Sequence, residues 1–317
     1  MESPGNVTAS VTANAIWRSY HLFRAEPWEE FLGAGVRPLV DELAGDGLSD
    51  GLIQGFFFIR YWERGPHIRL RLKTAHRKDV DRRVHAHFAD YFARIPSRRT
   101  NSGADDWLPN DTVQEIAYEP ETVRYGGPAR LPIAERQFEA SSRAVFGVIG
   151  EGRDWSYDRA LGAAIQLHLM FAHAFGFELE ALKRFFAETA DQLMSWENPM
   201  VQWRDDPKTV LPHFAEAFSR QREALVRAHA VVWSGLAEGG EFDQEWANRW
   251  VRDMREIAAR LTATRGAGEP LVNFTERAVL RSLIHMTNNR LGVRNRDEAY
   301  LAYVMKRALE EIDGRDG

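Results

Sequence analysis

Apolar and polar positions alternate along Gly65-Pro66-His67-Ile68-Arg69-Leu70-Arg71-Leu72-Lys73. Successive side chains of a β-strand point to opposite faces. Ile68, Leu70 and Leu72 therefore form one row, and His67, Arg69, Arg71 and Lys73 the other. Residues 16–23 show a similar aromatic, alternating pattern. Residues 52–62 are almost continuously apolar, which predicts a strand central in its sheet. Glu63-Arg64-Gly65-Pro66 is a tight turn, so this strand and the 65–73 strand should form a hairpin. Trp28, Phe31, Leu32, Val36, Leu39, Val40 and Leu43 recur at helical spacing after Pro27, as do Val80, Val84, Phe88, Tyr91 and Phe92 within 77–94. Residues 45–51 and 96–111 read as loops, and 113–119 as a fourth strand.

The order β-α-β-β-α-β predicts a ferredoxin-like module, a four-stranded antiparallel sheet with two helices on one face. The other face is then free to carry a site. From Ile133 the period becomes helical, over about 133–149, 155–175, 178–194, 208–237, 243–263, 273–288 and 295–313. Asn198-Pro199, Asp206-Pro207 and residues 266–270 supply breaks. The fold class is therefore α+β, with a sheet module at 15–120 and a mostly helical module at 121–317. The two are expected to form one compact domain. Residues 1–14 are small and polar and predict a disordered tail.

Composition narrows the chemistry. With 317 residues, 44% hydrophobic and 27% charged, the chain reads as an ordinary globular protein. A net charge of −5 gives no general attraction to nucleic acid or acidic membranes. The absence of cysteine excludes disulfides, thiolate metal sites and Cys nucleophiles. The ten histidines form no HExxH pattern, so no metal is expected. No P-loop, no GxGxxG after a strand and no GxSxG elbow is present. No apolar run reaches transmembrane length and no signal peptide opens the chain, so the expected location is the cytoplasm.

Three stretches could carry chemistry. Arg69 and Arg71 would project from one face about 7 Å apart, and two guanidinium forks suit a carboxylate or phosphate. The competing reading is a solvated edge strand whose cations discourage aggregation. Arg124-Tyr125-Gly126-Gly127 sets an arginine in a glycine-rich loop where backbone can approach a ligand closely; it could equally be a turn with a surface arginine. Ser282 to Gly292 groups Ser282, His285, Asn288 and Asn289 near a helix end, where such side chains also serve simply to satisfy terminal carbonyls.

These stretches occur in a characteristic order. Trp17-Arg18-Ser19-Tyr20-His21-Leu22-Phe23, Phe57-Phe58-Ile59-Arg60-Tyr61-Trp62, Gly65-Pro66-His67-Ile68-Arg69-Leu70-Arg71, Arg124-Tyr125-Gly126-Gly127 and His285-Met286-Thr287-Asn288-Asn289-Arg290-Leu291-Gly292 follow one another. The set resembles the C-terminal elimination domain of class I lantibiotic dehydratases in its free-standing form, the thiopeptide-type bacteriocin biosynthesis proteins. In that family a glutamylation domain esterifies a peptide Ser or Thr using glutamyl-tRNA, and the elimination domain expels glutamate to leave dehydroalanine or dehydrobutyrine. The resemblance implies His285, Arg71 and Arg69 as catalytic residues. It implies Arg124, Tyr125, His67, Ser282 and Asn289 as substrate-binding residues, and no cofactor. The implied partners are a precursor peptide and a separate glutamyl-tRNA-dependent glutamylating protein, without direct nucleic-acid or membrane binding; a homodimer is left open.

The chemistry suits these groups. Arginines bind a carboxylate and stabilise charge as it develops, and an imidazole can move protons in either direction. Two other readings stand beside elimination. A pyridine synthase would share the scaffold and join two dehydroalanines in a formal aza-[4+2] cycloaddition with loss of water and leader peptide. A non-catalytic subunit would only hold the leader. Phe138-Glu139-Ala140-Ser141-Ser142 stands where the family resemblance suggests an Asp-Ser pair, and Thr287 where a second His is common.

Overall fold

Residues 15–45, 51–98, 106–150, 155–195, 206–264 and 276–313 are described by the structure, a computed structural model. The expected 1–14 tail and the breaks at Asn198-Pro199 and 266–270 lie outside these residues. The chain divides into two compact units with the boundary between Pro120 and Glu121.

In the first unit, β1 (Ile16–Phe23) leads into α1 (Glu29–Phe31), a π-helical stretch Leu32–Val36 and α2 (Arg37–Ala44). Then come β2 (Gly55–Tyr61), β3 (His67–Thr74), α3 (Arg77–Arg94) and β4 (Thr112–Glu115). The strands lie in the order β2-β3-β1-β4, and every neighbouring pair is antiparallel.

Two expectations change here. Among the described strands β2 is outermost, not central, and β3 is interior, hydrogen-bonded on both sides. The apolar run of β2 reflects burial on both faces: Phe56, Phe57 and Phe58 are all buried, and Phe57 packs edge-on against Trp17 and Tyr118. β4 stops at Glu115 rather than 119. Beyond it the chain leaves the ladder after one more bond, from Ile116 N–H to the Ser19 carbonyl at 3.2 Å.

The apolar row of β3 faces the helices. Ile68, Leu70 and Leu72 are fully buried, each worth roughly 1.5–3 kcal/mol of transfer free energy. On the same face of the sheet, Asp81 of α3 accepts from Tyr20 Oη at 2.5 Å and Arg18 Nε at 2.8 Å. Glu29 of α1 accepts from Arg60 Nη1 at 2.7 Å. The cationic row of β3 lies on the opposite face.

The second unit is helical: α4 (Leu131–Gly150), α5 (Tyr157–Ala174), α6 (Leu179–Leu193), a 3-10 turn Pro207–Val210, α7 (Leu211–Ala237), α8 (Glu245–Ala263), α9 (Glu276–Leu291) and α10 (Asn295–Asp313). α9 runs past the expected end at 288, to Leu291, and Gly292 with φ 85° ends it. Its N–H returns to the Asn289 carbonyl, and that of Val293 to the Asn288 carbonyl. α4 packs on α8 and α9, α5 on α7 and α8, and α10 on α6 and α7. Among the described residues no helix is long and apolar enough to cross a membrane.

The α4–α8 contact depends on Gly147. A Cβ there would lie 2.4 Å from Trp246 Cβ, so Gly147→Ala must push two helices apart. We expect it to destabilise the protein by about 1–3 kcal/mol, the usual range for overpacking, although alanine favours helix over glycine. Urea unfolding followed by circular dichroism measures this.

Candidate active site

The sequence-predicted residues fall into two clusters, one in each unit. In the first, β3 sets His67, Arg69, Arg71 and Lys73 on one face, and the antiparallel registers choose their neighbours. His21 of β1 stands opposite Arg69 and Ser19 opposite Arg71. From β2, Phe57 stands opposite Arg71 and Tyr61 opposite His67.

His67 organises this row. Its Nδ1 lies 2.8 Å from the Gly65 carbonyl, which can only accept, so Nδ1 carries the proton. Its Nε2 accepts from Arg69 Nε at 3.1 Å. Both contacts together require a neutral imidazole. Burial lowers the His67 pKa to about 4, with the Arg69 charge adding to the effect and the Gly65 bond opposing it. The His21 ring stacks on His67 with centroids 4.8 Å apart. Burial lowers its pKa to about 3, helped by the charges of Arg69 and Arg71.

The two arginines differ. Arg69 also donates to Glu63 Oε2 at 2.9 Å and lies 3.5 Å from the Tyr61 ring centroid. Arg71 is only 8% exposed and sits against the rings of Tyr118 and Phe57, at 4.6 and 5.3 Å. A guanidinium held over aromatic faces keeps its charge while losing rotamer freedom. The solvated-edge reading of this strand therefore fails: β3 is interior and most of its cationic row is covered.

The second cluster is built on α9. Arg124, on the loop before α4, donates through Nε to Ser282 Oγ at 2.5 Å and through Nη1 to Glu121 at 3.1 Å. The buried Tyr125 hydroxyl lies 3.5 Å from Ser282 Oγ. Burial raises its pKa despite the nearby Arg124 charge, so it stays a phenol. Gly126 and Gly127 take φ of 86° and 93°, conformations that favour glycine and that let the loop turn into α4.

His285 is three residues on from Ser282, on the same face of α9. Its Nδ1 lies 2.8 Å from Glu298 Oε1 of α10. A carboxylate only accepts, so Nδ1 carries the proton and Nε2 is the nitrogen left to take up or release one. Glu298 is 5% exposed. Asn289, one turn further along, is partly buried.

The helix-end reading of this stretch applies to a different residue. Arg290, fully buried, donates to the Met286 carbonyl at 2.7 Å and to Ser142 Oγ at 3.2 Å. Thr287 bonds the Leu283 carbonyl and accepts from Gln137. His285 instead reaches across to another helix.

Residues 17–309 match the family described as Lantibiotic biosynthesis dehydratase C-term. The chain belongs to this family. Solved structures share its fold. The pyridine synthase TbtD from thiomuracin biosynthesis superposes with TM-score 0.73 at 20% identity, covering 94% of this chain and 99% of that one. TsrL gives TM-score 0.68 at 18% identity, with 95% and 96% covered. The tRNA-dependent lantibiotic dehydratase MibB from Microbispora sp. 107891 gives 0.59 at 19% identity. It covers 98% of this chain, which spans 29% of MibB. No curated protein sequence matches the chain.

Three neighbours of the predicted residues were not read as site residues from the lantibiotic dehydratase C-terminal pattern. His21 is quoted in the first strand, but its place beside Arg69 depends on the β1–β3 register. Tyr118 was read as part of a strand. Glu298 looks like any acidic residue in a first helical turn, where such residues are favoured anyway.

The depressed histidines have a stability consequence. Below the ordinary imidazole value of about 6.5, the unfolded chain takes up protons that His21 and His67 refuse in the fold. Their contribution is thus present above that pH and is lost as pH falls towards their folded values of about 3 and 4. Replacing one such group, His21→Gln, should flatten the fall in unfolding free energy between pH 6.5 and 4.5. Urea titrations at several pH values compare the two slopes, and equal slopes would contradict a neutral buried His21.

Proposed function

We propose that the protein tailors a ribosomally made precursor peptide by eliminating glutamate from a glutamylated Ser or Thr. The observation that carries this reading is the His285–Glu298 pair one helical turn from the Arg124–Ser282 contact. In the step, the Cα–H bond of the esterified residue breaks and its proton goes to a base. The Cα–Cβ double bond forms as the Cβ–O bond breaks, and glutamate leaves as a carboxylate.

His285 Nε2 is the proton-transferring group in this reading, held in one tautomer by Glu298. In the second unit Arg124 binds carboxylate and stabilises negative charge as it develops; in the first unit Arg71 offers a further guanidinium for a carboxylate. Arg69, engaged by Glu63 and His67, supports the Arg71 surface, with Ser282, Tyr125 and Asn289 as polar contacts for the peptide. The partners are a precursor peptide and a separate glutamylating protein. We also read the N-terminal order β-α-β-β-α-β, with strands β2-β3-β1-β4, as a ferredoxin-like module.

A second reading, pyridine synthesis by aza-[4+2] cycloaddition, is favoured by the end-to-end likeness to TbtD. That likeness is one of fold. The cation set is what favours elimination, because cycloaddition needs no clamp for a departing glutamate.

Mass spectrometry on two peptides tests the choice. A synthetic glutamyl-Ser peptide should lose glutamate, and a peptide carrying two dehydroalanines should stay unchanged. Turnover of the second alone would establish the cyclase reading and overturn ours. His285→Ala should lower elimination by about 10²–10⁴-fold, the usual contribution of a general acid–base group. Arg71→Ala should lower it at least about tenfold. Leader binding that persists with no turnover of either peptide would mark a non-catalytic subunit.

A further inference from the structure

Glu298 belongs to the first turn of α10, which begins at Asn295. First-turn N–H groups have no partner within their own helix, and such turns fray unless held. Here the N–H groups of Asp297 and Glu298 return to the Arg294 carbonyl at 2.8 and 3.1 Å, so the turn closes on Arg294. One side chain from another helix grips both ends of it. The Tyr157 hydroxyl, at the start of α5, accepts from the Arg294 N–H at 3.0 Å and donates to Asp297 Oδ2 at 2.5 Å. The Arg294 guanidinium lies over the Tyr157 ring at 5.3 Å. Tyr157 is itself set by α5, whose capping Ser156 Oγ accepts from the Arg159 N–H at 3.2 Å.

We propose that Tyr157 is a positioning residue for His285: its hydroxyl pins the first turn of α10 and thereby holds the Glu298 carboxylate against the imidazole. Asp297 and Glu298 are adjacent and project about 100° apart around the helix. Fixing Asp297 towards α5 therefore fixes the direction in which Glu298 points towards α9. Without the hydroxyl, the turn loses the two bonds that tie Arg294 and Asp297 to α5, and the carboxylate loses its defined place beside Nδ1. Burial, together with the Asp297 carboxylate, keeps the phenol pKa well above its ordinary value, so the donor persists through the working pH range. The catalytic consequence rests on the elimination reading above. The positional one does not.

Tyr157→Phe keeps the ring and its contact with Arg294 and removes only the hydroxyl. Two measurements on the full chain test the proposal. Proton and nitrogen NMR of the imidazoles should show a downfield Nδ1–H resonance for His285, assigned by its absence from Glu298→Gln. We expect it to be lost or exchange-broadened in Tyr157→Phe. With the glutamyl-Ser peptide, kcat should fall about tenfold or more while KM changes less than about twofold. If Tyr157→Phe does not fold by circular dichroism, Asp297→Ala cuts the same bond from the other side with the tyrosine intact. An unchanged Nδ1–H resonance in a folded variant overturns the proposal whatever the activity shows. Failure of the wild-type protein to release glutamate overturns the elimination reading instead, and the NMR result still decides on Tyr157.

Discussion

A strand hydrogen-bonded along both edges can send its side chains only up or down. β3 is such a strand, and the first unit is built on that constraint. Its apolar row must face the helices, since Ile68, Leu70 and Leu72 have nowhere else to be buried. Four consecutive basic-row positions are then obliged to share the other face. Like charges at that spacing repel, and the structure answers with chemistry rather than distance. His67 is kept neutral and receives an N–H from Arg69, and Arg71 is laid against two aromatic rings. The result is a cationic surface whose donors have set directions before any ligand arrives, which is what electrostatic preorganisation requires.

The second unit reaches a comparable end by different means. Helices cannot alternate faces residue by residue, so polar groups must be delivered by helix spacing and by caps. Ser282 and His285 share one face of α9 because they are three residues apart. Arg124 arrives from a glycine-shaped loop, and Glu298 from the first turn of a neighbouring helix. The cluster around His285 is therefore assembled from elements far apart in the chain, each secured by a local device: a glycine turn, a helix cap or a tyrosine hydroxyl.

Much of this was legible before any coordinates. Period-two alternation located β1 and β3, and helical spacing located α3 and most of the second unit, because those patterns are set by burial alone. The same logic explains the errors. An uninterrupted apolar run says that both faces of β2 are covered, and it was read as centrality, which is a statement about hydrogen bonding that side chains do not encode. Residues Arg69, Arg71, Arg124 and His285 stand out from their order along the chain. Their partners were not, since Glu298 lies thirteen residues beyond His285 in a position where a carboxylate is unremarkable. His21 becomes significant only once the strand register is known.

Arg290 has a mechanical consequence. It is a fully buried guanidinium on α9 whose bonds go to Ser142 on α4 and to its own helix, with the Phe138 ring at 5.0 Å. Turning α9 about its axis by a single residue would swing that group about 100°, away from its acceptor on α4, and leave a charge without its bonds in an apolar interior. The same rotation would carry His285 off Glu298. Arg290 thus acts as an index pin for the helix, and the angular setting of the His285 imidazole against Glu298 is fixed from the side of α9 that packs on α4.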